Sequence, residues 1–329
     1  MTVRGREALD ELCARLGPAA RLDEPIARYT SLRVGGRADA FLIARSNERL
    51  MAAIDAAEQL RVKWQVIGGA SNLLVADDGI EGLIVKTAPG PIELERSDGR
   101  CTSVRASGGC LLAAVAKQSA FAGASGLEWA VNVPGTVGAA VVNNAGAFGS
   151  ATSEHLLSAE MYEPFGRTRH LTVDDLRLGY RTSALKRGEL HAAVLTASFR
   201  LGDGEPELLR AHVANIQRTR KLTQPSGFSI GSIFANPPGD AAGRLIDSAG
   251  LKGQTIGNAK ISDLHANFIL NLGMATASDV YRLMRHIQIT VHEHHGVWLY
   301  PEVQLIGRWP RAAVEALNAP DKLPIGVPS

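Results

Sequence analysis

Trp129-Ala-Val-Asn-Val-Pro-Gly-Thr-Val-Gly-Ala-Ala-Val-Val-Asn-Asn-Ala-Gly-Ala-Phe-Gly149 holds four glycines, a run of alanine and valine, two adjacent asparagines and no charged side chain. Glycine lacks the Cβ that would hold a ligand away, so such a stretch lets backbone come close to something flat or phosphorylated. Unused N–H groups in its turns are ready to meet anionic oxygens. Gly135 and Gly138 flank Thr136 after Pro134, which would offer amides and one hydroxyl to a pyrophosphate. Asn143 and Asn144 add donors and acceptors suited to the edge of a heterocycle. A phosphate-binding P-loop would also need a Gly-Lys-Ser/Thr ending, and no lysine lies here. A buried Gly/Ala turn packed for close backbone approach remains the competing reading.

The rest of the composition narrows the class. At 329 residues the chain is long enough for two or three cores. Its 35 basic and 33 acidic residues are dispersed, without the basic stripe of a nucleic-acid binder, so no nucleic-acid partner is expected. The three cysteines, Cys13, Cys101 and Cys110, form neither a redox pair nor a zinc pattern, which predicts reduced thiols in a cytoplasmic protein without a bound metal. The first residues lead into a polar helix instead of an apolar signal core, and no run is long enough to span a membrane, so neither secretion nor membrane insertion is expected.

Taken in order, Ala8–Leu16 places Leu9, Leu12, Cys13 and Leu16 at helical spacing before Gly17-Pro18. The stretch 29–39, with Gly35-Gly36 between apolar residues, predicts a strand and a tight turn. A helix over 47–60 and a buried strand over 62–67 lead into Gly68-Gly69-Ala70-Ser71-Asn72, a second candidate for phosphate contact. No G-x-G-x-x-G occurs, so a Rossmann nicotinamide domain lacks its marker. Strands expected at 83–87, 101–107, 156–163 and 192–201, with a helix near 111–122, suggest an α+β arrangement. A helix from Pro206 runs out into Arg218, Arg220 and Lys221, cations that suit either a helix C-terminus or a pyrophosphate.

Gly227–Gly231 matches G-x-S-x-G, but the flanking Pro225, Pro237 and Pro238 leave no room for the helix that a nucleophile elbow at Ser229 would require. Ser232 is the more interesting hydroxyl. Asp240 is placed to cap a helix ending at Gly250, His265–Asn271 reads as a half-buried strand, and a helix from Ser278 ends at Gly296. His292, Glu293, His294 and His295 miss the H-E-x-x-H spacing of a zinc site. A final strand over 297–306 would put Glu302 on one face with Trp298 and Tyr300, beside aromatic walls that raise a carboxyl pKa. Pro301 marks it as an edge strand.

From about Tyr29 to Arg308 the motifs fall in one order. Thr30–Gly36, Gly68–Val75, Val133–Gly138, Asn144–Gly149, Tyr180-Arg181-Thr182-Ser183, Gly231–Phe234 with Asn236-Pro237, His265–Phe268 and Pro301-Glu302-Val303 together resemble the UDP-N-acetylenolpyruvoylglucosamine reductase family, in its second, shorter type. The resemblance implies an FAD-binding fold of the vanillyl-alcohol-oxidase, or PCMH, type in two subdomains (28–202) and an α+β substrate-binding domain (203–310). A lead-in (1–27) and a tail (311–329) flank them. It implies non-covalent FAD, NADPH as hydride donor, the enolpyruvyl ether of UDP-N-acetylglucosamine as substrate, and a monomer. Hydride goes to the β-carbon of the ether and a proton to the α-carbon.

The same resemblance assigns roles. Arg181 and Glu302, the latter in protonated form, hold and polarise the substrate carboxylate, and Ser232 is the proton donor. FAD contacts are implied at Arg33, at Gly68, Gly69, Ser71 and Asn72, at Pro134, Gly135, Thr136 and Gly138, and at Asn144, Ala145 and Gly146. Tyr180, Lys221, Asn236 and Arg244 would meet the substrate. Ala235 and Leu264 stand where the family often has lysine, and Asn132 and Ala139 where it has glycine. Two alternatives stand beside the reductase: a flavin oxidoreductase of the same fold with a different substrate, and, given Ala235 and Leu264, a UDP-sugar binder without turnover.

Overall fold

The computed structural model describes residues 3–319. Met1 and Thr2 of the lead-in, and the part of the expected tail from Pro320 onward, lie outside the described residues. The described residues form two compact units, one built from residues 3–22, 40–69 and 82–220, the other from residues 23–39, 70–81 and 221–319.

The first unit has two cores. In one, the helix Val3–Leu16 buries Leu9, Leu12 and Leu16, and the helix Asn47–Gln59 buries Leu50, Ala53, Ile54 and Ala57. They share this core with Leu42, Leu83 and Val85, carried by the strand segments 40–44 and 82–87, the latter parallel to the strand Trp64–Ile67. In the other, a five-stranded antiparallel sheet runs Arg167–Leu171, Leu156–Glu163, Ala193–Arg200, Arg100–Ser107, Ile92–Ser97. Its inward residues Val104, Met161 and Phe199 join the helices Leu112–Phe121 and Val137–Asn143 in that core. Period-two alternation and 3.6 periodicity make the strands at 62–67, 83–87, 101–107, 156–163 and 192–201 and the helices at 8–16, 47–60 and 111–122 readable from sequence, whereas the strands Arg21–Pro25, Ile92–Ser97 and Arg167–Leu171 and the helix Val137–Asn143 were not expected.

The second unit centres on the helix Ala277–His295. Val280, Leu283, Met284, Ile287 and Val291 are fully buried along one face. At about 2 kcal/mol each, an upper estimate, that face contributes on the order of 10 kcal/mol before chain entropy is counted. A capping box between Thr276 and Asp279 starts the helix, and left-handed Gly296 ends it. Against it lies a sheet ordered Phe228–Ser232, Phe268–Asn271, Ala259–Ile261, Thr255–Ile256.

Four local expectations are corrected. Residues 30–36 form no strand: the buried Thr30 hydroxyl donates to the Val34 carbonyl at 3.0 Å, and Arg33 is left-handed (φ 60°). Such local side-chain bonds compete with a ladder. The strand near 265–271 begins only at Phe268, because His265–Asn267 turns to place the Asn267 amide on both backbone groups of Phe234. The ten-residue final strand shrinks to Gln304–Ile306, parallel to Leu73–Val75. Pro301 has no N–H to continue a ladder, and the chain changes partner there, from Phe234 to Leu73. Finally, Ala241, not Asp240, occupies the N-cap of the helix Ala242–Ser248. Asn236 Oδ1 accepts from the Ala242 amide at 3.0 Å in place of a cap side chain.

Ser229 lies inside the strand Phe228–Ser232, paired with Leu270, and the next helix begins only at Ala242. No strand-to-helix elbow exists, so Ser229→Ala is expected to change turnover less than about twofold, within the usual ±0.5 kcal/mol of a surface substitution. Steady-state kinetics checks this. A large loss would restore a role for that hydroxyl.

Candidate active site

Two clusters gather most of the predicted residues. In the first unit, the loop leaving the strand Trp64–Ile67 runs along the Pro134–Thr136 turn. A Cβ built on Gly68 would lie 2.2 Å from Thr136 Oγ1, and one on Gly69 would lie 3.5 Å from the Gly135 α-carbon. Thr136 caps the helix Val137–Asn143 by accepting from the Ala139 amide at 3.3 Å. The amides of Val137 and Gly138 go to Cys110 and Gly108, each at 2.8 Å. Gly138 therefore serves close packing, with no amide left over. Among the described residues, the amides of Gly135 and Thr136 meet no acceptor. Asn143 Oδ1 is buried and also without a partner, although its Nδ2 donates to Ala139.

These observations test whether FAD fits. A close-packed turn in which the Thr136 side chain abuts Gly68, two backbone amides without a protein acceptor and one orphaned carbonyl acceptor suit an anionic diphosphate and a heterocycle edge. The residues fit the group. Asn143, which the Asn-Asn pair offers for a heterocycle edge but which the family resemblance does not include among the FAD contacts, is the one with the free acceptor.

Asn144 is the left-handed C-cap of that helix. Its Nδ2 donates to the Gly179 carbonyl at 2.9 Å and its Oδ1 accepts from Ser153 N at 2.9 Å. The Ala145 amide returns to Ala140. Asn144 thus ties the glycine-rich stretch to the loop that carries Tyr180 and Arg181. Within that loop Gly179 and Thr182 pair in both directions, and Arg181 between them is forced to φ 56°. Non-glycine residues in this region are strained by about 1–3 kcal/mol and persist only where surroundings over-determine them. Here Lys186 Nζ donates to the Arg181 carbonyl at 2.9 Å and Ser183 Oγ to Val142 at 2.6 Å. The Arg181 guanidinium donates to the Gly146 carbonyl at 2.7 Å and stacks over exposed Tyr180.

In the second unit, the segment 232–235 is held between two others. Ile233 N donates to Asn267 O, while Glu302 N donates to Ile233 O at 2.8 Å and Ala235 N to Tyr300 O at 3.0 Å. Ser232 and Glu302 are thereby brought to neighbouring backbone positions from seventy residues apart. Ser71 and Asn72 precede the strand Leu73–Val75. The Asn72 side-chain amide donates to the Glu302 carbonyl at 3.1 Å, and the Asn72 backbone carbonyl accepts from Gln304 N at 3.0 Å. The aromatic walls expected for Glu302 do not form by alternation, since Trp298 packs edge-on against His292 and Tyr300 is exposed.

The remaining predicted residues are more dispersed. Arg33 donates to the Arg28 carbonyl at 2.6 Å and lies over the Phe228 ring. Lys221 is exposed in the last turn of the helix Pro206–Thr223. Asn236 is exposed but spends its carbonyl on Ala242. Arg244 pairs with Asp240 one turn earlier, and that guanidinium holds the Asp240 carboxyl at about 2.

The family model for the UDP-N-acetylenolpyruvoylglucosamine reductase C-terminal domain matches residues 223–306, and that for an FAD binding domain matches 38–172. The UDP-N-acetylenolpyruvoylglucosamine reductase of Rubrobacter xylanophilus is 41% identical over 298 residues, 91% of this chain and 99% of that one. That of Bacillus subtilis is 38% identical over 302 residues, 92% and 98% of the two chains. The crystal structure of the Thermus caldophilus enzyme superposes with a TM-score of 0.72 at 34% identity, covering 88% of this chain and 98% of the other. The expected fold class is borne out, a PCMH-type FAD-binding domain followed by the family's C-terminal domain.

Proposed function

The chain belongs to the UDP-N-acetylenolpyruvoylglucosamine reductase family, and from that premise we propose how its own residues carry the reaction. It is an FAD-containing oxidoreductase that uses NADPH to reduce the enolpyruvyl ether of UDP-N-acetylglucosamine to UDP-N-acetylmuramate, a step of peptidoglycan precursor synthesis. FAD, when bound, supplies the relay of hydride from NADPH to the β-carbon of the ether. Gly68, Gly69, Gly135 and Thr136 would hold it, with Asn143 offering its carbonyl.

Hydride addition beside a carboxylate builds negative charge on the substrate, as an enolate-like species. Donors already aimed at that charge usually supply the largest part of the rate enhancement. Arg181 is the fork-shaped cation for the carboxylate, and Glu302 is the second group on it. Ser232 gives its hydroxyl proton to the α-carbon. A hydroxyl is too weak an acid for most tasks, but the strongly basic carbanion makes it competent. Tyr180, Lys221, Asn236 and Arg244 are proposed for the nucleotide-sugar, Arg244 after exchanging Asp240 for a phosphate.

The observation that carries this reading is the main-chain bond between Glu302 N and Ile233 O, which couples the segment of the proton donor to that of the carboxyl partner. The test is a pair of half-reactions under anaerobic conditions. NADPH should bleach the flavin, and the enolpyruvyl UDP-sugar should restore its colour with one equivalent of UDP-N-acetylmuramate formed. Bleaching without sugar-driven recovery would transfer the chain to another substrate. Tight UDP-sugar binding without bleaching would make it a binder.

Gly68→Ala gives a smaller, structural prediction. The new methyl meets buried Thr136, the cap of the helix Val137–Asn143. Overpacking of this kind costs about 1–3 kcal/mol, so the purified variant should retain its fold with a lowered Tm and substoichiometric FAD. Full flavin content at an unchanged Tm would remove Gly68 from the cradle.

We also read the chain as a cytoplasmic monomer. Free thiols at Cys13, Cys101 and Cys110 support the compartment. Among the described residues, no helix is long and apolar enough to cross a membrane.

A further inference from the structure

We propose that Lys86 is the counter-charge for the diphosphate of the bound FAD, a role that rests on the flavoenzyme reading above. Lys86 lies near the end of the strand Ile80–Thr87, in parallel register with Ile67, the residue before the glycine cradle. Its ammonium reaches back and donates to the Gly68 carbonyl at 2.5 Å. Gly68 is the glycine whose α-carbon abuts Thr136, and the Gly135 and Thr136 amides face no protein acceptor among the described residues. The cation thus bonds the residue that packs on Thr136, next in space to two amides without a protein acceptor.

The lysine is otherwise hard to account for. It is partly buried, and no Asp or Glu pairs with it among the described residues. Burial alone pushes its amine down from the usual lysine range. An ammonium removed from water without an opposite charge is disfavoured. One carbonyl satisfies a single one of its three N–H groups. The remaining two are left for an oxygen anion bound beside Gly68. A diphosphate supplies two negative charges where the surrounding backbone supplies only partial ones. A binding stretch free of lysine, which argued against a P-loop, is thereby completed from a neighbouring strand.

The alternative is that Lys86 merely pins the strand to the loop through the Gly68 carbonyl. Lys86→Gln separates the two, because the glutamine amide can still donate to that carbonyl but has no charge. Full-length holoenzyme is stripped of FAD and retitrated at low and high potassium chloride, with FAD binding followed by flavin fluorescence. For Lys86→Gln the expected result is about a tenfold weaker FAD Kd at low salt. The dependence of Kd on salt should be flatter than in the wild type, and the Tm of the FAD-free protein unchanged. Lys86→Arg should stay within about threefold of wild type.

The proposal is overturned if Lys86→Gln binds FAD as tightly as wild type. It is equally overturned if binding weakens together with the Tm while the salt dependence stays at the wild-type slope. Should the glutamine variant be insoluble, the salt dependence of Lys86→Met and Lys86→Arg decides on the same criterion. Wild-type protein that takes up no FAD would instead sink the flavoenzyme reading itself.

Discussion

Ser232→Ala is expected to bleach with NADPH at the wild-type rate and to recover its colour with the enolpyruvyl UDP-sugar about 10² to 10⁴ times more slowly. That factor corresponds to about 3 to 5 kcal/mol of transition-state stabilisation. Only the second half-reaction creates a carbanion, so only it needs a proton donor. The substitution is also structurally mild. Ser232 ends its strand opposite Phe268, and the strand is anchored by the buried Ile230 and Ile233 on either side. No hydrogen bond from the Ser232 hydroxyl supports the fold among the described residues, so alanine leaves no buried group stranded. Stopped-flow absorbance under anaerobic conditions measures each half-reaction separately. Equal slowing of both would mean that the hydroxyl acts on flavin or fold, and no slowing would hand the proton to another group. Solvent deuterium should slow the second half-reaction in the wild type.

How much of this was visible beforehand depended on whether local chemistry settled the answer. The helix Ala277–His295 was legible because its apolar stripe, capping threonine and terminal glycine agree with one another. The strands of the five-stranded sheet were legible by alternation at 101–107, 156–163 and 192–201. By contrast, Val297–Ile306 looked like one strand because the pattern carries no record of which partner each half meets. The turn at His265–Asn267 imitates a strand for a related reason. Asn267 is buried to bond Phe234, thirty-three residues away, and a buried asparagine inside an apolar run imitates a strand position. The two-sided holding of Ser232 and Glu302 was illegible by spacing alone. Order of motifs suggested it, and long-range main-chain bonds supply it. Lys86 escaped notice because a single lysine in a strand has no sequence signature.

Arg181→Lys should lower kcat/KM for the enolpyruvyl UDP-sugar about 10² to 10³-fold, the range found on deleting one preorganised donor to developing charge. Lysine preserves the charge but not the planar fork that meets both oxygens of a carboxylate. Since the carboxylate is bound before hydride arrives and gains charge afterwards, KM should rise and the limiting reoxidation rate should fall. NADPH-driven bleaching should be untouched. A merely structural Arg181 predicts a different pattern. Its guanidinium donates to Gly146 within the glycine-rich stretch, so losing that bond alone would loosen FAD, lowering flavin content and slowing both half-reactions. The left-handed backbone at Arg181 is imposed by the Gly179–Thr182 pairing and by Lys186, neither of which involves the substituted side chain. Lysine should therefore sit in the same turn, and flavin content should stay at one per chain. A variant with full flavin and unaltered reoxidation would remove Arg181 from the carboxylate. One depleted in flavin would move it to the cofactor.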